Sequence, residues 1–422
     1  MPLEPPPRRL RILIHGLNYS PDVVGVAKYT TEMAAWLARR GHIVRVVTAP
    51  PYYPAWAIAQ GYDGGHYTTE TVDGIEILRC PLWVPQNPSG LKRILHLASF
   101  GLSSFPAVIL ATLRFRPDII WTVQPALLAV PGPLLAAKLF RARSWMHVQD
   151  LEIDAAFQLG LLKSARSRRW ALKIHRMILR AFDRVSSISP RMCETLIAQG
   201  AEPERTSLIW NWVDTDRVTP DEDAGFRLRE ALGIPGDVPV ALYSGSMGNK
   251  QGLSIIIDAA RHLTGRKPGM PRVQFVLCGE GSYRDTLKEL AHGLDNILFL
   301  DLQPLERFSA LLSLADIHLL PQRADAEDLV LPSKLGGMMA SARPIIATAH
   351  PGTTLASVVT SCGVVVPPED ADTFTQAITS LAQDRDRRIL LGAKGRAMAQ
   401  QDWSTDRVLT GFEEELQRMV PT

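Results

Sequence analysis

The strongest constraint on this chain is a pattern that it states twice: a nearly unbroken apolar run, an amphipathic helical stretch, and a second apolar run. Leu10-Arg-Ile-Leu-Ile-His-Gly16 leads to Tyr29, Met33, Trp36 and Leu37 at helical spacing. Arg39-Arg40-Gly41 then stops the helix and Ile43-Val-Arg-Val-Val-Thr48 follows. Strands that are apolar along their whole length are buried on both faces, so this order means a right-handed βαβ unit in a parallel sheet. Further strands are expected at 74–78, 119–123, 144–148 and 185–188. The pattern restarts at Val238 and continues with strands at 273–278, 297–300, 317–320 and 345–348, between helices such as 283–292 and 305–315. The fold class is therefore α/β, with two doubly wound, Rossmann-like domains in tandem. They are expected over residues 1–214 and 215–405, facing each other across a cleft, with a C-terminal helix over 406–422 that crosses back to the first domain. A length of 422 residues exceeds one hydrophobic core and agrees with two domains.

Hydrophobic content of 46% and charged content of 21% are those of a globular chain. Cys80, Cys193, Cys278 and Cys362 lie far apart with no metal spacing, and read as buried thiols in a reducing compartment. The first residues carry no apolar core of the kind a secretion signal needs, so none is expected. The net charge of +3 hides an asymmetry. Residues 1–215 hold 25 Lys and Arg against 16 Asp and Glu, or +9, which leaves −6 for the rest. A basic half faces a polyanion: a membrane surface, a phosphorylated substrate or a nucleic acid.

Two stretches bear on the membrane. Residues 94–113 carry no formal charge and are long enough to span. His96, Ser99, Ser103, Ser104 and Pro106 dilute them, so an interfacial or partly exposed helix is expected rather than a span. In 163–184, Arg166, Arg169, Lys173, Arg176, Arg180 and Arg184 step by three or four residues along one basic stripe, beside an apolar face of Trp170, Ile174, Met177, Ile178 and Ala181. Such a helix binds an anionic membrane surface or captures a phosphate-bearing acceptor; a merely solvated helix face would show the same charges.

The second half carries three features that suit phosphate. The loop Gly245-Ser-Met-Gly-Asn-Lys-Gln-Gly252 lies between a strand and a helix, and Gly279-Glu-Gly281 follows the next strand. In the stretch 327–344, a helix is expected over 334–342 with Ser333 as its N-cap. Lys334 then puts a cation at the positive end of the helix dipole, and Gly336-Gly337 costs roughly 1 kcal/mol per residue against alanine. An anion on the helix start and a bulky group against the glycines would explain both; an exposed lysine and glycines that allow close helix packing explain them equally. In the first half, His147 ends an expected strand with Asp150 three residues on, a placement that suits an active site. Asp214-Thr-Asp216 and Asp370-Ala-Asp372 match a short metal-binding pattern, but neither lies at a strand end, so no metal is expected.

These residues carry a resemblance. Asn18-Tyr-Ser-Pro-Asp22, Gly25-Val-Ala-Lys-Tyr29, Thr48-Ala-Pro-Pro-Tyr-Tyr-Pro54, Leu91-Lys-Arg-Ile-Leu-His-Leu97, His147-Val-Gln-Asp150, Tyr243-Ser-Gly245 with Lys250-Gln-Gly252, and Leu331-Pro-Ser-Lys-Leu335 are spread over nearly the whole chain. Together they resemble glycosyltransferase family 4, retaining enzymes of the GT-B fold, and most closely its colanic-acid type bacterial exopolysaccharide glycosyltransferases. The resemblance implies a nucleotide-sugar, UDP- or GDP-linked, on the second domain and the acceptor on the first. It places His147 at the sugar, with Glu327 or Asp328 near it, and the strand-end Asp150 is expected in the same site. Gly25, Gly245, Ser246, Lys250, Gln251, Gly279, Gly281, Ser333, Lys334 and Leu335 fall around the nucleotide and its diphosphate, with the two lysines neutralising the leaving group. Tyr29, Lys92 and Arg93 join the basic stripe on the acceptor or membrane side. The sequence departs from the family at Ser246 and Gln251, where an Arg and a Lys are usual, and at Gly337, where a ribose-binding Glu is usual.

The expected activity is transfer of a hexose to a polyprenyl-diphosphate-linked sugar at the cytoplasmic face of the plasma membrane. It would proceed with retention, without metal or cofactor, and without nucleic acid as a partner. A nucleotide-sugar epimerase of the same fold and a non-catalytic sugar-nucleotide-binding protein are the alternatives.

Overall fold

The computed structural model describes residues 8–22, 25–86, 88, 90–124, 127–151, 165–264, 270–324 and 331–420. They form two units, one of residues up to Trp210 together with those from Leu409 on, the other from Asn211 to Val408. In the first, β1 (Arg11–His15), β2 (Ile43–Thr48), β3 (Thr68–Val72), β4 (Ile75–Arg79), β5 (Ile119–Gln124), β6 (Arg143–Val148), β7 (Arg184–Ser187) and β8 (Thr206–Leu208) form one sheet. Its order is β3-β4-β2-β1-β5-β6-β7-β8. In the second, β9 (Val240–Ser244), β10 (Gln274–Cys278), β11 (Ile297–Leu300), β12 (Ile317–Leu320), β13 (Ile345–Thr348) and β14 (Gly363–Val366) take the order β11-β10-β9-β12-β13-β14. Every pairing is parallel except β3 with β4. The order reverses between β1 and β5 and again between β9 and β12, and such reversals are where doubly wound sheets bind ligands, beyond the carboxyl ends of the strands.

Strands β3, β8 and β14 go beyond the sequence reading. Strand β3, Thr-Thr-Glu-Thr-Val, is solvated and shows no apolar period. It exists because Asp73 and Gly74 both take positive φ, 52° and 77°, the turn that folds a two-residue hairpin back onto β4. Strand β14 begins at Gly363, where a Cβ would lie 1.9 Å from the Ile345 carbonyl oxygen, so only glycine lets it pair with β13.

The 26-residue helix Gly90–Phe115 is long and apolar enough to cross a membrane by length and composition. One side packs Phe100, Ala107, Val108 and Phe115 into the core of the first unit. The other exposes Leu91, Leu95, Leu113 and Leu102, the last 78% exposed. It is a half-buried helix with an apolar outer face.

The C-terminal helix, Thr405–Met419, docks its later turns on the first unit. Phe412 lies edge-on to Trp121 and Trp145, with ring centroids 4.6 and 5.2 Å away. Glu413, only 3% exposed, accepts from Arg40 Nη2 at 2.9 Å and from His42 Nε2 at 2.9 Å. The Leu10 backbone N–H donates to His42 Nδ1 at 3.1 Å, which leaves the Nε2 proton for the carboxylate. One buried carboxylate thus ties the chain's end to β1 and to the end of the Val26–Arg39 helix. Glu413→Ala should destabilise the first unit by about 3 kcal/mol, because it strands a buried donor and a cation together. Glu414→Ala, on the exposed face, should change stability by less than about 0.5 kcal/mol, and urea midpoints compare the two.

Candidate functional site

In the second unit the loops after β9 and β10 stack backbone on backbone. The Gly245 N–H donates to Cys278 O at 2.9 Å, and Met247 N–H to Glu280 O at 2.8 Å. Gly279 and Gly281 hold φ of 143° and 155°, and a Cβ on them would come within 2.0 Å of Gly245 O and 2.3 Å of Met247 O. Close packing between the two loops is by itself enough to require these two glycines, whose place after a strand also suits a phosphate. Ser246 is exposed beside them, and the buried Oε1 of Gln251 has no hydrogen-bond partner.

Lys334 lies at the β9/β12 switch point, against the end of β9. Its Nζ lies 3.9 Å from the centroid of Tyr243, the fourth residue of β9, and 3.1 Å from where a Gly245 Cβ would be. Tyr243 is fully buried and its hydroxyl donates to Ser246 O at 2.5 Å. Among the described residues no carboxylate pairs with Lys334. Loss of solvation pushes its ammonium down from 10.5 to about 7, so near neutrality a nearby anion would decide whether it is charged.

The surroundings correct two expectations. Ser333 is exposed and does not cap the helix, which begins at Leu335 with Lys334 in the cap position and no side-chain cap bond. The helix runs only from Leu335 to Ala340, too short to build much macrodipole, so the case for an anion rests on the side chain of Lys334. The glycine face is covered by protein: a Cβ on Gly336 would meet Val213 at 3.3 Å, and one on Gly337 would meet Leu312 and Phe308 at 3.5 Å. Gly337 is a packing position in an apolar setting, and Leu335 is buried beside it. Arg323, which the sequence reading passed over, follows β12 at the same switch point, and its Cγ lies 3.3 Å from the Cβ position of Gly252. Its signal was its place, the first cation after the fourth strand of a doubly wound sheet. Glu327 and Asp328 lie outside the described residues, as does the side chain of Lys250.

In the first unit His147 ends β6 in a closed network. Its Nδ1 is 2.9 Å from Ser186 Oγ, which also accepts from Trp145 Nε1 at 2.9 Å. The Gln149 amide nitrogen sits 2.9 Å from His147 Nε2, so Nε2 accepts and Nδ1 carries the proton. The ring stacks on Trp121 at 5.1 Å, and burial drives it down to about 3, leaving a neutral imidazole that is a poor proton acceptor. Asp150 is half-buried at the bend after the strand. Gly25 takes φ 61° and ψ −137° at the start of the Val26–Arg39 helix, whose first turn holds no acid, and its Cβ position is open. Tyr29 is buried within the core face of that helix, so it offers nothing to a membrane.

Of the basic residues, Lys92 and Arg93 are exposed on the first turn of the Gly90–Phe115 helix. On the Ala165–Ala181 helix, Arg169 and Lys173 are exposed, Arg166 has no described side chain, and Arg176 and Arg180 donate to Gln199 O and Gly200 O. Those last two brace the next helix rather than stand free. The core side of this helix is His175 and Leu179, while Trp170, Ile174 and Met177, the last 65% exposed, form an outward apolar stripe. Both Asp-x-Asp matches are local turns: Asp214 accepts from the N–H groups of Asp216 and Arg217, and Asp370 caps the Ala371–Gln383 helix.

Two family models match the chain, one described as a glycosyl transferase 4-like domain over residues 24–212 and one as glycosyl transferases group 1 over 238–384. An Escherichia coli protein named as a colanic acid biosynthesis glycosyl transferase, WcaI, is 39% identical over 87% of this chain and 91% of its own. A Mycolicibacterium smegmatis protein named as a GDP-mannose-dependent phosphatidylinositol monomannoside mannosyltransferase is 28% identical over 66% of this chain and 79% of its own. Among solved structures, the sucrose-phosphate synthase of Thermosynechococcus elongatus superposes with a TM-score of 0.75 at 19% identity, covering 97% of this chain and 99% of that one. Anabaena HepE, in complex with UDP and glucose, gives 0.68 at 17%, covering 97% and 100%.

Two outcomes follow from the geometry. Gly279→Ala should destabilise the second unit by about 2–4 kcal/mol, read as a lower urea midpoint, because a methyl cannot fit 2.0 Å from a carbonyl oxygen. The folded pKa of Lys334 lies below its ordinary value, so between about pH 7 and 10.5 the unfolded chain binds more protons and stability rises with pH. Lys334→Met should flatten that rise and raise the thermal midpoint of the ligand-free protein near pH 6.

Proposed function

We propose that this chain, which belongs to the glycosyl transferase 4-like family and has the GT-B fold, moves a hexose from a nucleoside diphosphate sugar to a lipid-diphosphate-linked sugar during surface-polysaccharide assembly. The observation that carries the reading is Lys334, a desolvated cation without a carboxylate among the described residues, at the switch point of the second sheet. A diphosphate there would restore its charge and be neutralised by it, helped by Arg323 after β12 and by Lys250 from the loop after β9. The similarity to WcaI over most of both chains supports surface-glycan assembly as the setting.

In this reading the bond from the sugar's anomeric carbon to the β-phosphate oxygen breaks, and a bond to the acceptor hydroxyl oxygen forms on the same face, with retention. The hydroxyl proton passes to the departing phosphate. The protein contributes orientation and cationic charge, supplied by lysine and arginine side chains rather than by a metal ion. His147, neutral and enclosed, orients its surroundings instead of taking the proton. Lipid-linked acceptors lie at the membrane, and the first unit offers two outward apolar faces edged with cations. One is Leu91, Leu95 and Leu102 beside Lys92 and Arg93; the other is Trp170, Ile174 and Met177 beside Arg169 and Lys173. Such faces suit peripheral association with an anionic leaflet at the inner side of the plasma membrane.

The test is turnover of UDP- and GDP-hexoses with a polyprenyl-diphosphate-linked sugar, with product anomers read by NMR. Transfer with retention is expected. Lys334→Ala should lower kcat by at least about 10³-fold with an unchanged circular dichroism spectrum. Donor affinity should weaken as pH rises through about 7, where the lysine loses its charge. Wild-type turnover in Lys334→Ala would sink the diphosphate role, and donor epimerised without acceptor would replace transfer with the epimerase reading.

A further inference from the structure

Strand β9 runs through the middle of the second sheet, and its Val240, Ala241 and Leu242 suit such a place, being aliphatic and fully buried. Tyr243 departs from that pattern. It is just as buried and packs in the core with Met247, Leu253 and Phe275, where the phenol adds a polar atom that must find a partner. The strand register shows what is special about the position. Strand β9 pairs with β12 only at Ala241 and Leu242, but stays paired with β10 through Ser244. Tyr243 is therefore the first residue beyond the point where the sheet opens on its β12 side.

Both parts of this side chain are engaged. The ring lies under the Lys334 ammonium, with Nζ 3.9 Å from the ring centroid, well within cation–π range. The hydroxyl donates to Ser246 O at 2.5 Å and so pins the start of the loop that follows β9. Between the two in sequence, Gly245 leaves room for the ammonium, since a Cβ there would lie 3.1 Å from Nζ. Burial pushes the phenol up, so it stays a neutral donor and no phenolate pairs with the lysine. The rest of the lysine's own helix, Leu335–Ala340, is uncharged. On the loop after β10, Glu280 pairs with Arg284 at 3.6 Å, and Arg323 after β12 is itself a cation. Among the described residues burial alone shifts the Lys334 ammonium, with no neighbouring charge to raise or lower it.

A carboxylate in place of the ring would hold the ammonium more firmly, but it would cancel the charge and repel an anion arriving at the same spot. An aromatic face attracts the cation through its quadrupole and carries no net charge, so the whole positive charge stays available to a ligand. We infer that Tyr243 is a positioning residue for donor binding, whose ring holds the Lys334 ammonium in place without neutralising it and whose hydroxyl holds the loop after β9 beside it. The role toward a donor rests on the transferase reading above; the hold of the ring on the ammonium does not.

The experiment compares the full chain with Tyr243→Phe and with a trifluorinated phenylalanine at the same position, nearly the same in shape but with a much weaker quadrupole. Each is checked for fold by circular dichroism. NMR of protein isotope-labelled at the lysine ε-carbons follows the titration of Lys334, whose signal is identified by its loss in Lys334→Met. The wild-type midpoint is expected at about 7, and Tyr243→Phe should keep it. The fluorinated ring should lower it by about one pH unit, because the charged form loses its partner. Calorimetry with UDP and GDP across the same pH range should show affinity at neutral pH about fivefold weaker with the fluorinated ring than with Tyr243→Phe, as the charged fraction falls. Tyr243→Phe itself should bind about threefold more weakly than wild type at every pH, since only the loop has lost its anchor. A folded fluorinated variant with the Tyr243→Phe midpoint would overturn the inference and leave Tyr243 a residue of the core. A lowered midpoint with unchanged UDP and GDP affinity would overturn the positioning role, and wild-type affinity in Tyr243→Phe would overturn the part given to the hydroxyl. Failure of the transferase reading looks different: neither nucleotide would bind the wild type, while fluorination would still lower the Lys334 midpoint.

Discussion

An ammonium held against a tyrosine ring and a glycine backbone, with no carboxylate beside it among the described residues, sets the terms for the second unit. Desolvation alone disfavours the charge on Lys334, and Tyr243 offers only a ring face in return. The loops around it are bonded closely to one another. Gly245 and Met247 donate to the backbone of the next loop, and Gly279 and Gly281 let the two chains approach where any side chain would collide. A cation that is poorly solvated and well positioned is a good receptor for a diphosphate, since the anion finds its counter-charge with little reorganisation.

The first unit is organised by a different buried charge. Glu413 draws Arg40 and His42 to the C-terminal helix, and Phe412 beside it closes over Trp121 and Trp145. Trp145 and Trp121 in turn flank His147, so the last turns of the chain help enclose the imidazole that ends β6. That chain of contacts explains why His147 is neutral and fully bonded. Buried polar atoms without partners lie elsewhere in this unit, among them Asp22 Oδ2 after β1 and His96 Nε2 on the Gly90–Phe115 helix.

Much of this is legible in the sequence. The limits of β2, β11, β12 and β13 agree with the expected 43–48, 297–300, 317–320 and 345–348 residue for residue. Each is mostly apolar and bounded by turn residues, and β12 and β13 are buried along their whole length, as strands covered on both faces must be. Strand β3 was not legible, because a solvated edge strand needs only a partner and a turn, and its composition carries no period. Lys334 was legible as a local oddity, whereas Arg323 required knowing which strand it followed. Trp170, Ile174 and Met177 were legible as one helix face, but periodicity does not say whether a face meets the core or the solvent.

By itself the sequence determined two parallel α/β units, the family to which they belong, and a lysine that local propensity could not explain. Those properties live in short-range patterns: runs of apolar residues, glycine spacing, and motifs spread along the chain. The tertiary structure decided what each oddity is for. Gly279 and Gly281 turned out to serve loop contact, Gly337 to fill a packing position against Phe308 and Leu312, and Ser333 to cap nothing. Which polar atoms are buried, and which of those lack a partner, depends on residues far apart in sequence, such as Asp22, Tyr52 and His96. Only the fold could bring those three together.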